Sequence, residues 1–129
     1  MFTLTQIKSA HNKVKSGADF PAYIQELKKL GITSYETFVA DGHTVYYGAN
    51  DHTAISASKY ETLQISETSY KEKFITDLKA HQAAKTDYPT FCSDAAKAGV
   101  EKWAVYMEAM TCTYFDGDGE VMLVEQIPQ

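Results

Sequence analysis

Asp19-Phe20-Pro21-Ala22-Tyr23, followed by Gly31-Ile32-Thr33-Ser34-Tyr35, returns later in the chain as Asp87-Tyr88-Pro89-Thr90-Phe91, followed by Gly99-Val100-Glu101-Lys102-Trp103. One offset of 68 residues aligns Asp, Pro and Gly without a gap. The same offset pairs aromatic with aromatic at Phe20/Tyr88, Tyr23/Phe91, Tyr35/Trp103 and Phe38/Tyr106. Each copy reads as a helix entered through an acidic residue, with Pro tolerated in the first turn and Gly ending it. The duplication therefore supplies an architecture and an internal control. A residue that fills a core slot in one copy is expected to fill it in the other.

Outward from this repeat, Leu4, Ile7, His11 and Val14 recur at helical spacing and predict a first helix over about residues 3–16, ended by Gly17. The second helix carries Phe20, Tyr23, Ile24 and Leu27 on its apolar stripe. Residues 32–40 read as a strand, Asp41-Gly42 as a hairpin turn and His43–Tyr47 as the return strand. Residues 48–60 are loop-like, with a short strand expected around Leu63–Ile65. Ser69-Tyr70-Lys71-Glu72 fits a capping box and opens a third helix over about 69–84, with Phe74, Ile75 and Leu78 inward. The fourth helix, about 88–98, repeats the second, and strands follow over about 100–107, 109–115 and 120–126.

The fold class is therefore α+β, a single domain of two pseudo-repeated helix-helix-strand-strand units, about 3–47 and 69–126, with helices packed on an antiparallel sheet. Both alternation phases of the last strand are apolar. Val121 and Leu123 share one phase, and Met122 and Val124 the other. Either helices cover both faces of the sheet, or one face meets a second subunit. A homodimer is the expected form of the second arrangement.

With 129 residues the chain is long enough for one domain with a real core. The net charge is −5, and all twelve basic residues are Lys. Arg supplies the planar fork that grips phosphates and base edges, so its absence from an acidic chain argues against nucleic-acid binding. The N-terminus, Met1 to Lys8, lacks a signal-peptide pattern, and no apolar run is long enough to span a bilayer. A cytoplasmic protein with no membrane partner and with Cys92 and Cys112 reduced is expected.

No Walker loop, dinucleotide fingerprint, nucleophile elbow or His-Glu-x-x-His occurs. No cofactor and no metal is expected. A zinc site built from His81, Cys92 and Cys112 would lack the tight paired spacing of structural zinc. Cys92 occupies the slot of Ile24, which makes it a buried apolar residue. Asp116-Gly117-Asp118-Gly119-Glu120 resembles part of a calcium loop but has Ile127 where the twelfth ligand should stand, and reads as a turn. Asp19 and Asp87 read as helix caps, and His11 as a structural histidine on an apolar stripe. His81 and Gln82, three and four residues after Leu78, lie on the inward face of the third helix beside Thr86-Asp87-Tyr88. Cys112 and Tyr114 share a strand face with Met110. His81, Gln82, Cys112 and Tyr114 are the candidate ligand-binding residues.

Leu78-Lys79-Ala80-His81-Gln82, Thr86-Asp87-Tyr88, Thr90-Phe91-Cys92, Gly99-Val100-Glu101-Lys102-Trp103 and Met110-Thr111-Cys112-Thr113-Tyr114 resemble the YbcV-like family, as do Tyr60–Ile65 and Glu125-Gln126-Ile127-Pro128. These are small bacterial and prophage proteins of unknown function, sometimes labelled phage envelope proteins. The resemblance implies a compact bacterial protein and brings no catalytic residues. The expected function is a non-enzymatic binding or interaction module, whose protein or small-molecule partner the sequence does not specify. The alternative is a small enzyme with a site at the junction of the third and fourth helices, using His81, Asp87 and Cys112.

Overall fold

The computed structural model describes residues 2–14 and 19–127. The elements run α1 (Leu4–His11), α2 (Phe20–Lys29), β1 (Ile32–Phe38), β2 (Thr44–Gly48), β3 (Thr53–Ile55), α3 (Lys71–Gln82), α4 (Tyr88–Lys97), β4 (Val100–Tyr106), β5 (Thr111–Asp116) and β6 (Val121–Gln126). All six strands form one antiparallel sheet in the order β3-β2-β1-β4-β5-β6. The fold is α+β. The first helix ends at His11 with Asn12 at its C-cap, short of the expected residue 16, and Gly17, its expected stop, lies outside the described residues.

The repeat persists into the hydrogen-bond register. In β1–β2, Ser34, Tyr35, Glu36 and Thr37 face Tyr47, Tyr46, Val45 and Thr44. In β4–β5, Lys102, Trp103, Ala104 and Val105 face Phe115, Tyr114, Thr113 and Cys112, the same pairs moved by 68 residues. Even the irregularities match, between Ile32 and Ser34 in β1 and between Val100 and Lys102 in β4. β1 and β4 then pair with each other and join the halves at the centre of the sheet.

Side chains on a strand alternate between faces, so the register assigns each residue to a side. Tyr35, Tyr46, Trp103, Val105, Cys112 and Tyr114 point toward the helices. Tyr114 packs on Phe74 of α3, and Trp103 on Phe91 of α4. On the α2 side, Ile24 and Leu27 are fully buried in the same core. The helices cover this face alone. A row of opposite phase crosses all six strands, Ile55–Val45–Glu36–Ala104–Thr113–Val124, and faces away from them.

The last strand departs from simple alternation. The register slips between Tyr114 and Phe115, whose partners are Leu123 and Val121. Met122 is the extra residue of this bulge, and a bulge re-aims side chains. Met122 is 3% exposed, whereas Val121 and Val124 are 55% and 51% exposed. The expectation from strand alternation that Met122 shares a face with Val124 is corrected on this point.

Three local expectations also change. Leu63–Ile65 forms no strand, because Leu63 N–H donates to Ala40 O and Ser66 N–H to Ala96 O, on two different elements. Instead residues 56–70 form a strap from the β1–β2 turn to the end of α4, and the third strand lies earlier, at Thr53–Ile55. The capping box at Ser69–Glu72 does not form. Ser69 Oγ donates to Asp116 Oδ2 at 2.6 Å, a charged acceptor that makes the stronger bond. A capping box is present at α1, where Thr3 Oγ1 accepts from Gln6 N–H and Gln6 Oε1 accepts from Thr3 N–H. Asp87 caps α4 by accepting from Thr90 N–H at 2.8 Å.

Candidate functional site

Gln82 leaves the end of α3 and meets β6. Its Nε2 donates to Glu125 Oε2 at 3.1 Å, and the Tyr114 hydroxyl donates to Glu125 Oε1 at 3.2 Å. Glu125 is the strand partner of Cys112, whose thiol adjoins the Tyr114 hydroxyl. Three of the four candidate residues, Gln82, Cys112 and Tyr114, therefore gather around a carboxylate. Glu125 itself was missed by the sequence reading. Its signal was a charged residue directly after the apolar run Val121–Val124.

His81 does not join them. Its Nδ1 donates to Thr86 O at 3.1 Å, and its ring stacks on Phe91 at 4.5 Å with an interplanar angle of 14°. The imidazole ties the end of α3 to the start of α4. Asp87 spends its carboxylate on the α4 cap. His81, Asp87 and Cys112 thus have separate hydrogen-bond partners.

Both thiols are buried. Burial pushes the Cys112 thiol up to about 12, so it is protonated at neutral pH. Burial also raises Cys92, against the opposing effect of the neighbouring Tyr60 and Tyr88 hydroxyls. The thiolate is the reactive form, so neither cysteine is poised as a nucleophile or ligand. Among the described residues, no group of three or more His, Cys, Asp or Glu side chains converges as a metal site. At the β5–β6 turn, Asp116 Oδ1 accepts the N–H groups of Asp118 and Glu120, which makes this segment a closed turn.

The helix-free face holds a second constellation. Glu36 Oε2 accepts from Lys102 Nζ, and Glu36 Oε1 accepts from the Tyr47 hydroxyl at 2.8 Å. Lys102 Nζ also lies 5.7 and 5.5 Å from the ring centroids of Phe38 and Phe115, within cation–π range. Burial alone would push the Glu36 carboxyl up. The Lys102 and Tyr47 hydrogen bonds outweigh it and hold the group below the usual carboxylate range. Around this pair lie the apolar groups of Val45, Ile55, Val121 and Val124, with Tyr106 40% exposed. The sequence reading missed this cluster too, although the repeat marked it. Glu36 matches Ala104 and Lys102 matches Ser34, so both charges are departures from the other copy.

No helix among the described residues is long and apolar enough to cross a membrane. The fold and these sites define an α+β protein with an open-faced antiparallel sheet and a buried, protonated pair of cysteines. The chain belongs to the family described as protein of unknown function (DUF1398), whose model matches residues 8–126. Among curated proteins, none matches this chain.

Proposed function

We propose that this chain is a non-enzymatic interaction module that works through the helix-free face of its sheet, with a second copy of itself as the occupant. The observation that carries this reading is the one-sided placement of the helices. It leaves Ile55, Tyr106, Val121 and Val124 exposed on a face whose central charges, Glu36 and Lys102, already neutralise each other. The strands contain seven, five, three, seven, six and six residues. At about 16 Å² of sheet plane per residue, they present roughly 540 Å². Two such faces would bury about 1,100 Å², enough for a specific interface of the smaller kind. The largest apolar patch of a typical monomer measures about 300–600 Å² and often marks an interaction site. Two sheets packed about 10 Å apart would form a sandwich with helices outside.

Ile55 and Val124 sit at opposite ends of the central row, so lysine at both positions would place charge across the whole contact. The variant carrying Ile55→Lys and Val124→Lys is expected to elute as a monomer while the parent elutes as a dimer. Equal elution of parent and variant would remove the proposal. The enzyme alternative draws no support from His81, Asp87 and Cys112, each engaged elsewhere and the last protonated. The YbcV-like resemblance belongs to the same reading, as a small cytoplasmic bacterial or prophage accessory protein acting through contacts.

A further inference from the structure

The repeat is an internal control, and one of its departures on the helix side falls in α4. Phe20 and Ile24 of α2 correspond to Tyr88 and Cys92 of α4. Two wholly apolar positions of the first copy have acquired a hydroxyl and a thiol in the second. Both line a cleft of about 380 Å³ between α4 and the strap, walled by Lys59, Tyr60, Glu61, Leu63, Tyr88, Pro89 and Cys92, in which the two opposite charges of Lys59 and Glu61 leave no net charge. Cys92 lies in its floor, with Tyr60 and Tyr88 beside it in the wall. Tyr60 also donates to Val39 O at 2.6 Å, which fixes its ring and leaves its oxygen able to accept. Tyr88 stands at the rim, 42% exposed.

We infer that this cleft binds a small uncharged aromatic molecule of one or two rings. Its volume lies near the lower end of small-molecule pockets, which run from about 300 to 1,000 Å³. Two tyrosine rings, a leucine and a proline offer stacking and apolar contact, and the phenol oxygens offer an edge to hydrogen-bond. An anion is disfavoured although a helix begins here. The Thr90 N–H is already taken by the Asp87 carboxylate, and Pro89 has no N–H to give. The strap that closes the cleft ties the β1–β2 turn to the end of α4 through Leu63 N–H to Ala40 O and Ser66 N–H to Ala96 O. The site is distinct from the helix-free sheet face and does not depend on self-association.

Indole is a suitable probe, with inorganic phosphate as the anionic comparison, both followed by backbone amide NMR shifts on the full chain. Indole should give saturable shifts concentrated in residues 59–63 and 88–92, and phosphate none there at equal concentration. Cys92→Ile restores the residue of the first copy and fills the floor. It should weaken indole binding at least tenfold. Should that variant fail to fold, Tyr88→Ala, at an exposed position, should produce a loss of the same order. Shifts that grow without saturation, that map to the sheet face around Ile55 and Val124, or that survive these substitutions unchanged would overturn the inference.

Discussion

Glu36 and Ala104 face each other across the β1–β4 pair, and position 104 is also the repeat mate of position 36. In an antiparallel pair, that coincidence places a local two-fold axis between the two residues, perpendicular to the sheet. An axis so directed carries both helix pairs to the same face. One register pair thus accounts for the helix-free face on which the proposed function rests.

The same seam makes the halves interdependent. Each half alone would expose β1 or β4 as a long unpaired edge and lose the central ladder. Fragments 1–68 and 69–129, expressed separately, should show no cooperative thermal transition by circular dichroism. A sharp transition in either one would show that the seam is dispensable.

Gly31 and Gly99 end the two repeated helices at φ +95° and +90°, yet their surroundings differ. A Cβ on Gly31 meets nothing within 4 Å, whereas one on Gly99 would lie 2.5 Å from the backbone oxygen of Thr68. Gly31→Ala should cost about 1–2 kcal/mol from the left-handed backbone alone. Gly99→Ala should cost more, because the strap must also move. Chemical denaturation of both variants tests the order, and equal losses would contradict the strap's position.

Cys92 fills the slot of Ile24 and is 1% exposed. Native protein should react slowly with a thiol reagent at neutral pH and rapidly once unfolded. Cys92→Val should change stability by less than about 1.5 kcal/mol, as a roughly size-matched apolar exchange. Fast modification of the folded protein would contradict the burial.

Glu36 predicts a pH dependence. Against the effect of burial, hydrogen bonds from Lys102 and Tyr47 hold its folded carboxyl below the ordinary glutamate value of 4.5. A depressed carboxylate contributes stability that is fully present above its unfolded pKa and lost as pH falls through the folded one. Melting temperature should therefore drop on acidification below about pH 4.5, and Glu36→Gln should drop less over the same window. Identical acid profiles for the two proteins would mean that the Lys102 and Tyr47 bonds do not hold in solution.

The helices, the duplicated strand pairs and the buried Cys92 were legible in the sequence because they rest on local signals. Those signals are period, Pro and Gly placement, and a gapless repeat. What escaped reading depends on register. The bulge that turns Met122 inward, the bond that diverts Ser69 to Asp116 and the strap across residues 56–70 arise between segments distant in sequence. The site residues divide the same way. Gln82, Cys112 and Tyr114 were found by their faces, but their common partner Glu125 could be placed only by the β5–β6 pairing. Glu36 and Lys102 were visible as breaks in the repeat, and nothing local brings them together.

Sedimentation equilibrium of the unmodified chain at high micromolar concentration tests the central claim most directly. If the open sheet face pairs with its copy, the mass should approach twice the 14.4 kDa of one chain, and fall to 14.4 kDa with Ile55→Lys and Val124→Lys together. A mass of 14.4 kDa for the unmodified chain at that concentration would contradict it.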